Sequence, residues 1–235
     1  ILWFSGEPRR DIEFLNNGNI IARTSSRLAE YTINDKLIFE SENLGFHHCI
    51  NKTTKGTYLG LTKSYTPGDC PSPYCPIEFS FFPIIWRSDV ITELDINGNI
   101  IWEWDFSDYI GIENYNNHYI EIMGPSSNGE TDWTHGNEVF YNQNENAMYL
   151  SLRNLNTITK IDYDTKEVIW HLGDLDTLNS PTFNSYFNAH PTFNHQHTPE
   201  LTTNNNLMLF NNGTHNNPKV SSCQEYSITN NDCTV

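Results

Sequence analysis

Positive charge is scarce in this sequence. Only 13 Lys and Arg stand against 29 Asp and Glu in 235 residues, a formal net charge of −16. That balance argues against a non-specific nucleic-acid binder, which needs a basic surface. It leaves room for a small-anion site, because a local cationic pocket dominates at short range while salt screens distant charges. No run is long and apolar enough to span a bilayer. The first residues, ILWFSGEPRR, lack the basic segment and apolar core of a signal peptide, and there is no initiator Met. Sustained helical periodicity is missing, and so is a nucleotide-binding loop. Cysteines number five: Cys49, Cys70, Cys75, Cys223 and Cys233. Cys70 and Cys75 bracket PSPY in a Pro-rich stretch without the further close-spaced Cys or His that zinc would want, so a local disulfide is favoured over two free thiols. Such a bond would imply an oxidising compartment.

What is present is apolar and aromatic: hydrophobic residues make up 37% and aromatics 13%, enough for a sizeable core without staples. Asparagines cluster at Asn16-Asn17, Asn116-Asn117, Asn204-Asn205-Asn206 and Asn211-Asn212, which suits many tight turns. The sequons at Asn51 and Asn212 carry no information without knowledge of the host.

One pattern recurs four times. The copies begin at Arg9 (RRDIEFLNNGNIIARTSSRLAEYTINDKLIFE), at His47 (HHCINKTTKGTYLGLTKS, interrupted and resumed as DVITELDINGNIIWEWDF from Asp89), at Thr134 (THGNEVFYNQNENAMYLSLRNLNTITKIDYDTKEVIWHLG) and at Gln196 (QHTPELTTNNNLMLFNNG onward). Each gives a strand, an Asn- or Gly-containing turn, an apolar strand and a third strand (28–33, 90–96, 157–163, 224–228). In the first three a fourth strand ends in aromatics (37–39, 100–104, 168–170). Alternation at Leu94 and Ile96, then Ile100, Trp102 and Trp104, around Asn97-Gly98 predicts a hairpin with positive φ at the turn. Repeated four-stranded antiparallel units predict an all-β protein, a β-propeller; a sandwich would not need four similar units. The fourth copy is expected to lack its last strand, and residues 1–235 are expected to form a partial propeller cut at both ends. The long spacers 109–132 and 173–195 suit either binding loops or decoration.

In a propeller the starts of the innermost strands converge at one end of the central channel. That position holds Arg10, His48, His135 and His197 in the four copies, with Arg153 one hairpin on from His135 and Arg23 at a similar place in the first copy. Singly, each His suits a hydrogen-bonded structural role. Together, several His with Arg suit a tetrahedral oxyanion, since Arg offers a planar fork of donors and His a single directed one. A neutral His is also a nucleophile when another group fixes its tautomer. Three His would equally suit zinc or copper, but an Arg within a cation-binding ring is unfavourable and no carboxylate stands at an equivalent position, so no metal is expected.

The segments HHCI (47–50), DWTHGN (132–137), YLSLRN (149–154), KIDYDTKEVIWHLG (160–173) and QHTPEL (196–201), together with SSRLAEYTI (25–33), resemble the bacterial arylsulfate sulfotransferases that work without PAPS. Cys49 stands where that family usually has Asp, and Cys223 replaces an Arg of the Ser-Arg-x-x-Glu-Tyr element. The resemblance implies a six-bladed propeller of which this chain would carry about four blades. It implies transfer of a sulfuryl group from an aryl sulfate to a phenol, with no cofactor. His197 would be the nucleophile. His48, His135 and Arg153 would share catalysis, and His47, Arg10 and Asn137 would bind substrate; the blade register favours His48 over His47 as the inward residue. The expected partners are a small aryl sulfate and a phenol, with no nucleic acid, no membrane span and a possible second copy of the chain. The expected location is the periplasm or outside the cell. Two other readings stay open: a propeller that only binds an anion or a partner protein at its central pocket, and a metal-dependent hydrolase or lyase.

Overall fold

The computed structural model describes residues 9–69, 84–112, 130–173, 187, 193–229 and 232–234. Cys70, Cys75 and most of both long spacers lie outside the described residues. The four repeats fold as four successive antiparallel sheets, each laid out in chain order. The first comprises β1 (Arg10–Phe14), β2 (Ile20–Thr24), β3 (Arg27–Tyr31) and β4 (Leu37–Glu40). The second comprises β5 (His47–Lys52), β6 (Tyr58–Gly68), β7 (Ile84–Leu94) and β8 (Ile100–Asp105). A short strand, β9 (Glu130–Asp132), joins β7 in parallel. The third comprises β10 (Gly136–Asn142), β11 (Ala147–Leu152), β12 (Thr157–Asp162) and β13 (Val168–Gly173). The fourth comprises β14 (His197–Leu201), β15 (Leu207–Asn211), β16 (Ser222–Thr229) and β17 (Asp232–Thr234). The only α-helix among the described residues is the single turn α1 (Phe106–Tyr109).

One expectation is corrected here. The fourth sheet does have its last strand: Ser227, Ile228 and Thr229 pair with Thr234, Cys233 and Asp232. The short polar NNDCTV segment carries no aromatic pattern that would mark it as a strand. The hairpin at Asn97-Gly98 forms with positive φ at its turn, as the alternation predicted. Only Gly98 is left-handed, at φ +85. Asp95 closes the turn: its backbone N–H donates to Asn99 O, and its carboxylate accepts from the N–H groups of Asn97 and Asn99 at 2.8 and 2.9 Å. This is the three-residue hairpin in which a lone left-handed residue completes the turn.

The sheets pack face to face, and the apolar core lies between them. Ile21 and Leu28 of the first sheet cluster with Phe46, which precedes β5, and with Ile50, Tyr58 and Leu94 of the second. Leu59, Leu61, Trp102 and Trp104 of the second pack on Val139, Leu150 and Ile161 of the third. Tyr149, Trp170 and Leu172 of the third meet Leu207, Leu209 and Tyr226 of the fourth. Polar bonds fix the stacking. Trp102 and Trp104 donate their indole N–H groups to the carbonyls of Tyr163 and Lys166, at 2.8 and 3.1 Å. Glu30 is 1% exposed and accepts from Lys52 Nζ, Tyr58 Oη and Asn19 Nδ2, each at 2.6 Å. Such a buried carboxylate is tolerable only when its lone pairs are satisfied. The inner strands β1, β5, β10 and β14 are spatial neighbours. The sheets are therefore blades of a β-propeller, and the starts of the inner strands share one end of the channel.

Candidate active site

Every inner strand begins with a distortion. The register slips between Arg10 and Glu13, His47 and Ile50, Gly136 and Glu138, and His197 and Glu200. Within or beside each slip a residue other than glycine takes a left-handed backbone: Asp11, His48, His135 and Thr198, at φ 51, 50, 50 and 46. A non-glycine residue there is strained, and such strain gathers where a side chain must be aimed. In the second and third blades the strained residue is the histidine itself.

Two of the three histidines face one cavity. It measures about 550 Å3 and its lining includes His48, His197, Asn137, Glu13, Glu138 and Glu200. The His48 and His135 rings meet edge to face with centroids 4.8 Å apart. His135 Nδ1 lies 2.6 Å from Asp132 Oδ2, and Asp132 is also paired with Arg87. The backbone N–H of Arg153, which opens a 3-10 turn after β11, donates to His135 O at 3.1 Å. Its guanidinium Nη1 donates to Asn154 Oδ1 at 2.7 Å, and its charge reaches His195 and His197.

His197 is held by its neighbours. Its Nδ1 sits 3.0 Å from the carbonyl oxygen of His195. A carbonyl only accepts, so this bond puts the proton on Nδ1 and leaves Nε2 its lone pair, while the Asn212 amide nitrogen, a donor 3.0 Å from the same Nδ1, favours the opposite tautomer. Burial, with Arg153 and His135 nearby, lowers the His197 pKa, although the His195 carbonyl pulls the other way. His197 is therefore neutral at pH 7. Asn212 donates to the same carbonyl and also lies 3.0 Å from His197 Nδ1. Behind them Gln196 is fully buried and ties the fourth blade to the third, its amide nitrogen meeting Ser151 Oγ, Leu152 O and Thr157 O at 2.9–3.2 Å. Asn137 donates to Gln196 O at 2.6 Å, and its buried Oδ1 has no partner among the described residues.

His48 has its pKa lowered to about 4, by burial first and then by His47 and His135. His47 lies behind it, 7% exposed. As the blade register suggested, His48 is the histidine on the cavity side.

Arg10 departs from the expected ring. It is exposed, pairs along the backbone with Arg23, and lines a separate pocket on the first blade with Arg23 and Tyr31. The slip at Asp11 causes this: it aims Asp11, not Arg10, at the histidine cavity, so a carboxylate does approach there. Arg23 is occupied by Asp11 Oδ2 and the Ser25 carbonyl, both at 2.6 Å. Sequence reasoning also passed over His195. It is 3% exposed, with Nδ1 2.9 Å from Thr214 Oγ1 and its ring edge-on to His215. Burial first, then Arg153, brings its pKa to about 4. The spacing His195-Gln196-His197 was the available signal. The described cysteines Cys49, Cys223 and Cys233 are free thiols, and Cys49 donates to Glu138 within the cavity.

Sequence comparison now adds an independent observation. The profile of the arylsulfotransferase (ASST) family matches residues 3–235. The chain belongs to the arylsulfotransferase family. None of the curated proteins matches the chain. Among solved structures, it is similar to a protein of unknown function from Bacteroides caccae, with 8% identity and TM-score 0.53 over 99% of this chain and 61% of that one. It is less similar to the catalytically inactive H270A virginiamycin B lyase from Staphylococcus aureus with quinupristin, with 11% identity and TM-score 0.45 over 94% of this chain and 55% of that one. The chain thus spans about three-fifths and just over half of those two structures, and the first likeness bears on the fold alone.

Proposed function

We propose that the protein moves a sulfuryl group from an aryl sulfate to a phenol through a sulfohistidine at His197. The observation that carries this reading is the bond from His197 Nδ1 to the His195 carbonyl, in a neutral ring that lines the cavity. An imidazole held this way presents Nε2 as a nucleophile. Sulfuryl transfer parallels phosphoryl transfer, an in-line displacement through a loose transition state with charge on the equatorial oxygens. Such a reaction needs positioning and fixed donors; His48 lines the cavity as a neutral donor, and His135 and the Arg153 charge, close to His48 and His197 respectively, are proposed to assist. In the first half-reaction the Nε2 lone pair of His197 bonds to sulfur, and the bond from sulfur to the aryl oxygen breaks with its electron pair on that oxygen. The imidazole keeps Nδ1–H on His195 O. In the second half-reaction a phenol oxygen displaces His197. No cofactor enters the scheme. Among the described residues no three His, Cys, Asp or Glu side chains are grouped as a metal site would require, so the metal-dependent reading gains no support. The same reading puts the protein in the periplasm or outside the cell, where a Cys70–Cys75 disulfide would form; thiol alkylation before and after reduction tests that pairing.

The deciding experiment mixes the full-length protein with an aryl sulfate and quenches it at neutral to alkaline pH. Peptide mass spectrometry then looks for a sulfuryl group on the peptide that carries His197. A label that discharges on adding phenol is the expected result. Absence of label and of phenol release, with sulfate still protecting the protein against unfolding, would leave an anion-binding propeller instead.

A further inference from the structure

We propose that Asp89, His47 and His48 form a proton relay that serves the aryl oxygen, with His48 as the acid–base group and His47 and Asp89 as positioning residues behind it. This rests on the sulfotransferase reading above and deepens it, because that reading leaves unassigned the group that protonates the leaving phenolate.

The carboxylate of Asp89, on β7, is 1% exposed. Its Oδ1 lies 3.0 Å from His47 Nε2, while its Oδ2 accepts from Thr134 Oγ1 and from the backbone N–H of Gly136. Those bonds outweigh the cost of burial and keep Asp89 ionised. His47 Nε2 therefore carries a proton, shared between Asp89 and the Thr62 carbonyl at 3.2 Å. At its other nitrogen His47 faces His48, Nδ1 to Nδ1, at 2.7 Å. Two imidazole nitrogens at that distance hold one proton between them, and the position of that proton sets what His48 offers the cavity. With the proton on His47, His48 Nδ1 accepts and His48 Nε2–H donates into the cavity. With the proton on His48, Nε2 is a base.

The two arrangements match the two half-reactions. As the bond from sulfur to the aryl oxygen breaks, His48 Nε2–H gives its proton to that oxygen. His48 Nδ1 takes the shared proton from His47, which returns to neutrality beside Asp89. When the acceptor phenol arrives, His48 Nε2 removes its proton, the shared proton returns to His47 Nδ1, and the phenol oxygen bonds to sulfur as the bond from His197 breaks. No proton is gained or lost over the cycle. Other charged groups near His48 are His135 at the start of β10 and Asp11 on β1, and Lys63 on β6 lies near Asp89. His135 has a carboxylate too, but Asp132 is shared with Arg87 and no second histidine stands between them. His135 therefore lacks the histidine-to-histidine contact that His48 has with His47.

The test is the dependence of kcat/KM on the leaving phenol, measured with the full-length protein over aryl sulfates from a nitrophenol to unsubstituted phenol. A phenol as basic as a tyrosine, with a pKa of about 10, needs the proton; a nitrophenol needs it little. His47→Gln is expected to lower turnover of the nitrophenyl ester less than about tenfold and that of the phenyl ester more than about a hundredfold, the usual worth of acid–base catalysis. Thr134→Val, which removes one bond to Asp89 and leaves both histidines, should shift in the same direction by a smaller factor and serves if His47→Gln folds poorly. Equal losses for every leaving group would overturn the relay while leaving the sulfotransferase standing. Absence of turnover by the unaltered protein with any aryl sulfate would overturn the sulfotransferase reading and the relay with it.

Discussion

Replacing Glu138 by Gln is expected to stabilise the protein, and only above mildly acid pH. Glu138 lines the histidine cavity from β10, where it accepts from Cys49 and, at 3.4 Å, from Asn51. Burial raises its pKa from 4.5 to about 7; the bonds from Cys49 and Asn51 oppose the rise, and Glu13 adds to it. The sign follows from proton binding. Below 4.5 the carboxyl is protonated folded and unfolded, and contributes nothing. Between 4.5 and about 7 the unfolded chain releases its proton while the folded protein keeps it, so stability falls as pH rises. Above about 7 the cost is complete, at about 3 kcal/mol for a shift of this size. Gln keeps an oxygen for Cys49 and Asn51 but has no proton to lose. The variant should therefore gain about 1 kcal/mol at pH 5 and about 3 kcal/mol at pH 8. For a domain of this size that is a rise in Tm of roughly 6–12 °C at pH 8. Thermal unfolding by circular dichroism at both pH values reads the difference. Parallel curves, or destabilisation at pH 8, would refute the argument that Glu138 is held in a site hostile to its charge.

Gly136→Ala should destabilise the protein by about 1–3 kcal/mol, because its Cβ would stand 2.7 Å from Asp89 Cγ in a buried, fully bonded site; an unchanged denaturant midpoint would show that Asp89 is not held as described. Tyr58→Phe removes one of the donors that satisfy the buried Glu30 and should cost about 1.5–3 kcal/mol, measured by urea unfolding. Because the His197 pKa is lowered from 6.5, the acid limb of sulfurylation should fall below that value; a limb above it in the pre-steady-state label would contradict a neutral nucleophile.

The sequence by itself determined the blades. Period-two alternation and Asn-, Asp- and Gly-bearing turns are local signals, and repetition multiplied them: the third and fourth strands of the first three copies stand where expected, except that β7 starts at Ile84 and not at 90. The fourth copy's last strand was not legible, since a three-residue polar edge strand is made by pairing with β16, not by pattern. Convergence of His48 and His197 was legible too, because propeller geometry turns equivalent repeat positions into neighbours. Tertiary structure alone decided the rest. Whether Arg10 or Asp11 faces the cavity depends on one strained residue in a slipped register, which shifts side chains without leaving any trace in composition. Asp89 lies far along the chain from His47, in the third strand of its blade, where it reads as an ordinary polar residue. It reaches His47 because β7 runs two strands away from β5 in the same sheet, and it stays ionised because Thr134 and Gly136 of the next blade close over it. The repeat placed the histidines; the packing of one blade on the next set their protons.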